Sequence, residues 1–357
     1  MTVTLPNDHE TTAPRAGAAL PRHAGGARST LFTMTIDTEE EWDWNAGWPV
    51  RDLRLKNIRN LPRFQDLCAR YGVATTYFAD QAVLDDAEAR AILLDLARRD
   101  RVEIGMHIHP WNTPPIVNPG PVQARETFLH NLPDDLITAK LNSVYERFVQ
   151  CGLRPTSFRG GRYSSGGKVH EFLRDKGFLV DSSVVPFTTW KDDGAPDYRH
   201  RGLEPVRLPP RRPGERPLWE VPLTLAFSRR PFALWCRLYD AVENSWLRRL
   251  RLIGIAERLG VVRKGWLNFE QPLGMQMLPF LQRLRRLNLP CVCFTVHSSS
   301  LLAGGNPYTP TKADEDGIFA RMEEVFGTIA GWPEFQPATM TEVALRLENE
   351  YHARAGN

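Results

Sequence analysis

Short apolar runs alternate with longer stretches of helical periodicity through most of the chain. The runs at residues 31–36 (LFTMTI), 74–79 (ATTYFA), 102–108 (VEIGMHI), 156–159 (TSFR), 178–180 (FLV), 266–269 (WLNF) and 291–296 (CVCFTV) read as strands. Between them, residues 53–71, 85–99, 133–152, 167–177 and 273–289 carry apolar positions at helical spacing, and two further helices are predicted at 313–329 and 339–352. Strand and helix in strict alternation predict parallel strands joined by crossover helices. About seven such strands predict an α/β fold built as a closed or nearly closed barrel.

Two regions depart from this rhythm. Residues 1–29 are rich in Thr, Ala, Gly, Pro and Arg without periodicity, so a flexible arm is expected there and the ordered domain is expected to span 30–357. Residues 190–264 are too long for one crossover and read as an Arg/Trp-rich helical insertion, of the kind that shapes substrate choice at a barrel mouth. Within it, residues 228–264 pattern as amphipathic helices that could rest on an anionic membrane. A solvated basic face or an oligomer contact accounts for the same pattern more simply.

Composition narrows the class. The 357 residues are 42% hydrophobic, enough for one large core. With 45 basic and 42 acidic residues the net charge is +3, which gives no electrostatic footprint for a nucleic acid. The 5 cysteines are odd in number and scattered, as expected of reduced thiols. No apolar run approaches the ~18 residues of a spanning helix, and no basic segment followed by an apolar one opens the chain. A cytoplasmic protein is the expectation.

Candidate chemistry collects where predicted strands run out into polar residues: Asp37, His107 and His109, Arg159, Asp181 and His297. In such barrels the carboxyl ends of the strands form one mouth. Side chains two apart share a face of a strand, so Asp37 and Glu39 can address one centre, as can His107 and His109. Two imidazoles and a carboxylate make an open three-ligand site for a divalent cation. The run Glu39, Glu40, Glu41 has a blander reading as a solvated patch.

Taken in order, TIDTEE, EIGMHIHPW, SFRGGRYS, VDSSVVP and FTVHSSS resemble the motifs of the polysaccharide deacetylases with a NodB-homology domain, carbohydrate esterase family four. TIDTEEEWDW, HIHPWNTPP and FTVHSSSLLAGGNPY are similar to its WalW-like branch, associated with bacterial surface polysaccharide or lipopolysaccharide synthesis. The resemblance spans about residues 31–308. It implies a distorted (β/α)7 barrel in a single domain, holding one divalent metal, usually Zn2+ with Co2+ or Ni2+ as substitutes. The activity it implies is hydrolysis of an N-acetyl, sometimes O-acetyl, group on a sugar. Carried over residue by residue, Asp37 is the general base and Glu39, His107 and His109 bind the metal. The family's second acid is usually adjacent to the first, where Thr38 stands here, so Glu40 or Glu41 are substitutes for Glu39. The commoner histidine spacing of four would fall on Trp111. His297 becomes the general acid, Arg159 (or Arg162) orients Asp37, Asp181 orients His297, and a backbone N–H near Tyr163 receives the oxyanion. Metal binding lowers the pKa of water from about 15.7 to roughly 7, which makes a nucleophile available at neutral pH.

Trp42, Trp44, Trp48, Trp111 and Trp266 flank these motifs and offer flat surfaces for a pyranose. Trp44, Trp111, Tyr163 and Ser298 are the expected substrate contacts, with Ser299 and Asn306 as further polar groups. Two other classes remain open: a metal-independent glycosidase using two barrel carboxylates, which leaves the histidines unexplained, and a glycan-binding protein on the same scaffold.

Overall fold

Strand β2 (Thr30–Thr38) is buried along all 9 of its residues, and the rest of the sheet is arranged around it. The computed structural model describes residues 18–19, 29–117, 120–190, 194–270 and 275–355. Its strands are β1 (Ala18–Ala19), β2, β3 (Thr75–Ala79), β4 (Val102–Ile108), β5 (Ser157–Gly160), β6 (Val180–Asp181), β7 (Val206–Leu208), β8 (Leu218–Glu220), β9 (Leu225–Phe227), β10 (Lys264–Trp266), β11 (Cys291–His297) and β12 (Phe335–Pro337). The helices are α1 (Leu61–Arg70), α2 (Gln81–Asp85), α3 (Ala87–Leu96), α4 (Asp134–Gln150), α5 (Gly167–Asp175), α6 (Phe232–Glu243), α7 (Leu252–Arg258), α8 (Met277–Arg285), α9 (Lys312–Ala330) and α10 (Met340–Ala355).

The main sheet runs β1-β7-β8-β6-β5-β4-β3-β2-β11, and β12 also pairs with β2. From β8 through β6, β5, β4, β3 and β2 to β11 every pairing is parallel. This is the expected α/β architecture, a parallel sheet curled into a half-barrel. Its remaining gap, between the end of β8 and β11, is spanned by a few backbone hydrogen bonds: Thr224 N to Cys293 O (3.3 Å), Leu267 N to Thr224 O (2.9 Å), Thr295 N to Leu267 O (2.9 Å) and Phe269 N to Thr295 O (3.3 Å). The expected sixth strand at 266–269 is thus reduced to one parallel bridge, Asn268 to Thr295, because the preceding residues pair antiparallel with β9 instead.

Local chemistry sets several boundaries. The helix expected over 53–71 starts late: residues Lys56–Asn60 form a 3-10 turn and α1 follows with a proline in its first turn, where the missing N–H costs nothing. The helix expected over 85–99 is observed as α3, shorter at both ends, and a separate α2 precedes it; Asp80 and Asp86 cap the two starts, accepting from Val83 N and Ala89 N. The insertion at 190–264 is not purely helical. Its apolar run LWEVPLTLAF supplies β8 and β9, and β8 joins the main sheet beside β6. The arm expected over 1–29 lies mostly outside the described residues, but Ala18–Ala19 pair antiparallel with β7, so that part belongs to the sheet. All 5 cysteines are free thiols. Among the described residues no helix is long and apolar enough to cross a membrane.

At the middle of β4, Gly105 is required by close packing. A Cβ there would stand 2.5 Å from Ser157 Oγ on β5 and 2.7 Å from the Phe78 ring on β3. Gly105→Ala should destabilise the protein by about 1–3 kcal/mol, as overpacked cores do, and a chemical denaturation midpoint equal to wild type would show that the neighbours yield freely.

Candidate active site

Beyond β2 the chain carries three consecutive glutamates, and all three are buried: Glu39 at 2%, Glu40 at 0% and Glu41 at 5% exposure. The solvated-patch reading is therefore wrong. A buried carboxylate needs a partner, and each finds a different one. Glu39 Oε2 lies 3.4 Å from His107 Nε2 and 3.0 Å from His109 Nε2. Glu40 accepts from His109 Nδ1 at 3.0 Å and from Asn112 Nδ2 at 2.7 Å. Glu41 turns away and accepts from Asn57 N at 3.2 Å. Of the alternatives left open by the sequence, Glu39 is the one that faces both Nε2 atoms.

The two Nε2 atoms are 3.2 Å apart, so with Glu39 Oε2 they form a triangle of edge 3.0–3.4 Å. Tetrahedral ligands at 2.0–2.1 Å from zinc stand about 3.4 Å from one another, so the donor set fits a small divalent cation. Glu40 behind His109 has the role of a carboxylate that holds a ligating imidazole by its other nitrogen and fixes its tautomer. Glu39 Oε1 and His107 Nδ1 have no hydrogen-bond partner among the described residues. Burial opposes ionisation of Glu39, but the His109, His297 and His107 imidazoles outweigh it and hold the carboxyl well below its usual range. Burial likewise opposes charge on His109, and Glu40 and Glu39 overcome it and push its pKa well up. Asp80, 3.8 Å from His109 Nδ1, is raised well above a normal carboxyl by burial and by Glu40.

Asp37 stands beside this triangle. Its Oδ1 accepts from Arg159 Nη1 at 2.6 Å, and its Oδ2 is 3.8 Å from His297 Nε2. The parallel register of β2 with β11 places Asp37 opposite His297, and that of β4 with β5 places His107 opposite Arg159. Arg162, the substitute for Arg159, donates to Thr127 Oγ1 and lies over the Phe128 ring in the wall of the same pocket.

The carboxylate that holds His297 is Glu270. It accepts from His297 Nδ1 at 2.8 Å and from His297 N at 2.8 Å, and Ser300 Oγ donates to it at 2.5 Å. Burial disfavours the imidazolium, but Glu270, then Glu39 and Asp37, raise the His297 pKa to about 10. The expectation that Asp181 orients His297 is not met. Asp181 is bonded to His170 Nε2 at 2.7 Å, Ser165 Oγ at 2.6 Å and Ser183 Oγ at 2.6 Å, because α5 packs His170 over the end of β6. Glu270 ends the predicted strand WLNF as Asp37 ends LFTMTI, so the strand-end rule could have found it.

The pocket over these groups has a volume of about 340 Å3 and aromatic walls, with Trp42, Trp44, Trp48 and Trp266 joined by Trp190, which the sequence reading had not picked out. Trp190 stacks on Tyr163 at 5.7 Å. Trp44 sets an edge against His297 at 5.0 Å and against Tyr308 at 5.3 Å. Trp111, expected as a substrate contact, is 4% exposed and stacks on His109 at 4.1 Å, so it mainly holds the imidazole. Ser298, also expected to touch substrate, is fully buried and exchanges hydrogen bonds with the backbone of Glu39. Asn306 donates to Ser299 and Ser300 and so braces the support behind Glu270. Arg162 and Tyr163 both adopt left-handed backbone, φ 50 and 60, in the pocket wall, a strained turn of the kind found at functional sites. Gly161 lets this turn approach: a Cβ would be 2.6 Å from His109 Cδ2.

The sequence matches no protein-family model and no curated protein. Solved structures match it in three dimensions. A protein from Mycobacterium smegmatis, assigned as a polysaccharide deacetylase, aligns at TM-score 0.53 and 13% identity, over 95% of this chain and 96% of that one. Another from Parabacteroides distasonis, assigned as a glycoside hydrolase/deacetylase, aligns at TM-score 0.52 and 13% identity, over 92% of this chain and 72% of that one. The chain has the NodB-type deacetylase fold. In this fold the triangle of Glu39, His107 and His109 and the pair Asp37 and His297 lie at the carboxyl ends of β2, β4 and β11.

Glu270→Gln removes the leading charge that raises His297. The imidazole should then titrate at lower pH than in the wild type, followed by NMR of the ring carbons. An unchanged midpoint would mean that Glu39 and Asp37 alone set it.

Proposed function

We propose that this protein is a metal-dependent hydrolase that removes an acetyl group, most simply an N-acetyl group, from a sugar of a bacterial surface polysaccharide or lipopolysaccharide precursor, as the resemblance to the WalW-like deacetylases implies. The observation that carries the reading is the juxtaposition, in one pocket, of a cation-sized donor triangle with a carboxylate and an imidazole 3.8 Å apart. The neighbouring folds agree with it.

Glu39, His107 and His109 would hold the divalent cation, Zn2+ first and Co2+ or Ni2+ as alternatives, and that ion would supply Lewis acidity at the acyl oxygen and an acidified water. The protein supplies the proton transfers. Asp37, fixed through Oδ1 by Arg159, keeps Oδ2 for the proton of the attacking water. Carbon–oxygen bond formation at the acetyl carbonyl and cleavage of the carbon–nitrogen bond then release acetate and the amine. His297, kept as imidazolium by Glu270, gives its Nε2 proton to the departing nitrogen, which without it is a poor leaving group. A backbone N–H near Tyr163 is the proposed second donor to the oxyanion. The tryptophan walls, Trp44 and Trp190 foremost, would take the C–H faces of the sugar.

A glycosidase would need two carboxylates free to flank a glycosidic bond. Here Glu270 is engaged by His297 and Ser300, and Glu39 faces two imidazoles. A retired scaffold that only binds glycans would have no use for a base and a charged acid held opposite each other.

Acetate release from N-acetylated oligosaccharides, with zinc or cobalt added, tests the reading. Asp37→Asn should lower the rate by about 10²–10⁴-fold while the purified protein keeps one equivalent of metal by elemental analysis. His107→Ala should lose the metal. Full activity in the first variant would remove Asp37 as base, and stoichiometric metal in the second would remove the proposed ligand set.

A further inference from the structure

The +3 net charge conceals an uneven distribution. Residues 228–264 hold nine basic and three acidic side chains, a net +6, which leaves the rest of the chain at −3. The same stretch holds eight of the thirteen exposed large apolar side chains among the described residues. Exposed apolar surface concentrated in this way marks an interaction site, whereas scattered exposure needs no explanation.

Most of these residues lie on three short elements that pack against one another. Helix α6 turns Cys236 inward, with Phe232, Trp235 and Tyr239 packed against the core, and leaves Leu234 and Leu238 outside. The following 3-10 turn, Trp246–Leu250, and α7 bury no residue. Trp246 is 70% exposed. On α7, Leu252, Ile255 and Leu259 recur at spacings of three and four, an apolar stripe facing solvent, and Leu259 is 73% exposed. Arg248, Arg249, Arg251 and Arg258 stand among them, exposed and engaging no carboxylate among the described residues.

We propose that α6, the 3-10 turn and α7 form a platform that docks peripherally on an anionic lipid surface. Aliphatic side chains and an exposed indole interleaved with arginines are what an interfacial helix requires: the apolar stripe enters the acyl boundary while the guanidinium groups stay at the headgroups. Charge decides against a second copy of the chain, because a two-fold contact would press +6 against +6. Apolar content decides against a nucleic acid, for which leucine and isoleucine stripes have no use. The platform lies in the chain between β9 and β10, and Trp266 at the far end of β10 lines the pocket.

Flotation of the full-length chain with vesicles tests this without recourse to activity. The protein should partition onto vesicles of phosphatidylcholine mixed with phosphatidylglycerol, not onto phosphatidylcholine alone, and salt should weaken the binding. Replacing Arg248, Arg249 and Arg251 together by Ser should weaken partition about a hundredfold at low salt. Trp246→Ala with Leu259→Ala should weaken it with less effect on its salt dependence. All five side chains are exposed, so both variants should keep the wild-type thermal midpoint. Failure of the wild-type chain to bind anionic vesicles, or binding indifferent to both variants, would overturn the proposal. So would a concentration-dependent dimer that Trp246→Ala with Leu259→Ala dissolves in the absence of vesicle binding, which would give the face to a second copy.

Discussion

The guanidinium of Arg159 is wholly excluded from solvent, and the architecture of the site follows from what that demands. A charge in this position must be neutralised and hydrogen bonded on all sides. Nη1 donates to Asp37, Thr35 and Thr295, Nε to Ser182 O, and Nη2 to Ser182 Oγ, while Cζ lies 4.5 Å from the centre of the Phe78 ring. One side chain therefore ties β2, β5, β11 and the segment after β6 together, and the ion pair that stabilises the barrel centre also fixes the rotamer of the proposed base. Removing either partner would strand the other's charge at a cost of about 3–5 kcal/mol, so structural and chemical roles cannot be separated at this pair.

The same economy governs the glutamate run. Three like charges in sequence would repel one another in a shared environment. Strand geometry and the turn that follows send them to separate partners: Glu39 to the imidazole pair, Glu40 to the far nitrogen of His109, and Glu41 to the amide of Asn57. Trp111 stacks on one face of His109, and Gly161 leaves no room for a side chain beside Cδ2 of the same ring. His109 is thus surrounded by four residues from three segments, Glu39 and Glu40, Trp111, and Gly161.

Much of this was legible in the sequence, and the division is physical. Alternation of strand and helix periodicity gave the parallel sheet, and strand-end polarity brought forward Asp37, Glu39, His107, His109, Arg159 and His297, which the fold gathers at one mouth. Those are local signals. What failed was pairing across the fold: Asp181 goes to His170 because of how α5 crosses β6, and His297 goes to Glu270 because the broken sixth strand ends beside β11. Neither follows from spacing along the chain. Ser298 was misread for a related reason, since a hydroxyl next to a site residue was assumed to face the pocket, whereas it spends itself on the Glu39 backbone. The insertion looked helical because its arginine-rich part dominates the composition, and the buried run that forms β8 was passed over.

The parallel register between β2 and β11 extends for seven consecutive residue pairs and ends on Asp37 and His297. A slip of one residue would reverse the face of every side chain in the ladder, so the gap between the proposed donor and acceptor of protons is set first by the spacing of the sheet, and Glu270 then fixes the imidazole within it. Loops above it that carry none of these groups can therefore lengthen, shorten or be exchanged while the spacing of Asp37 and His297 stays as the strands set it.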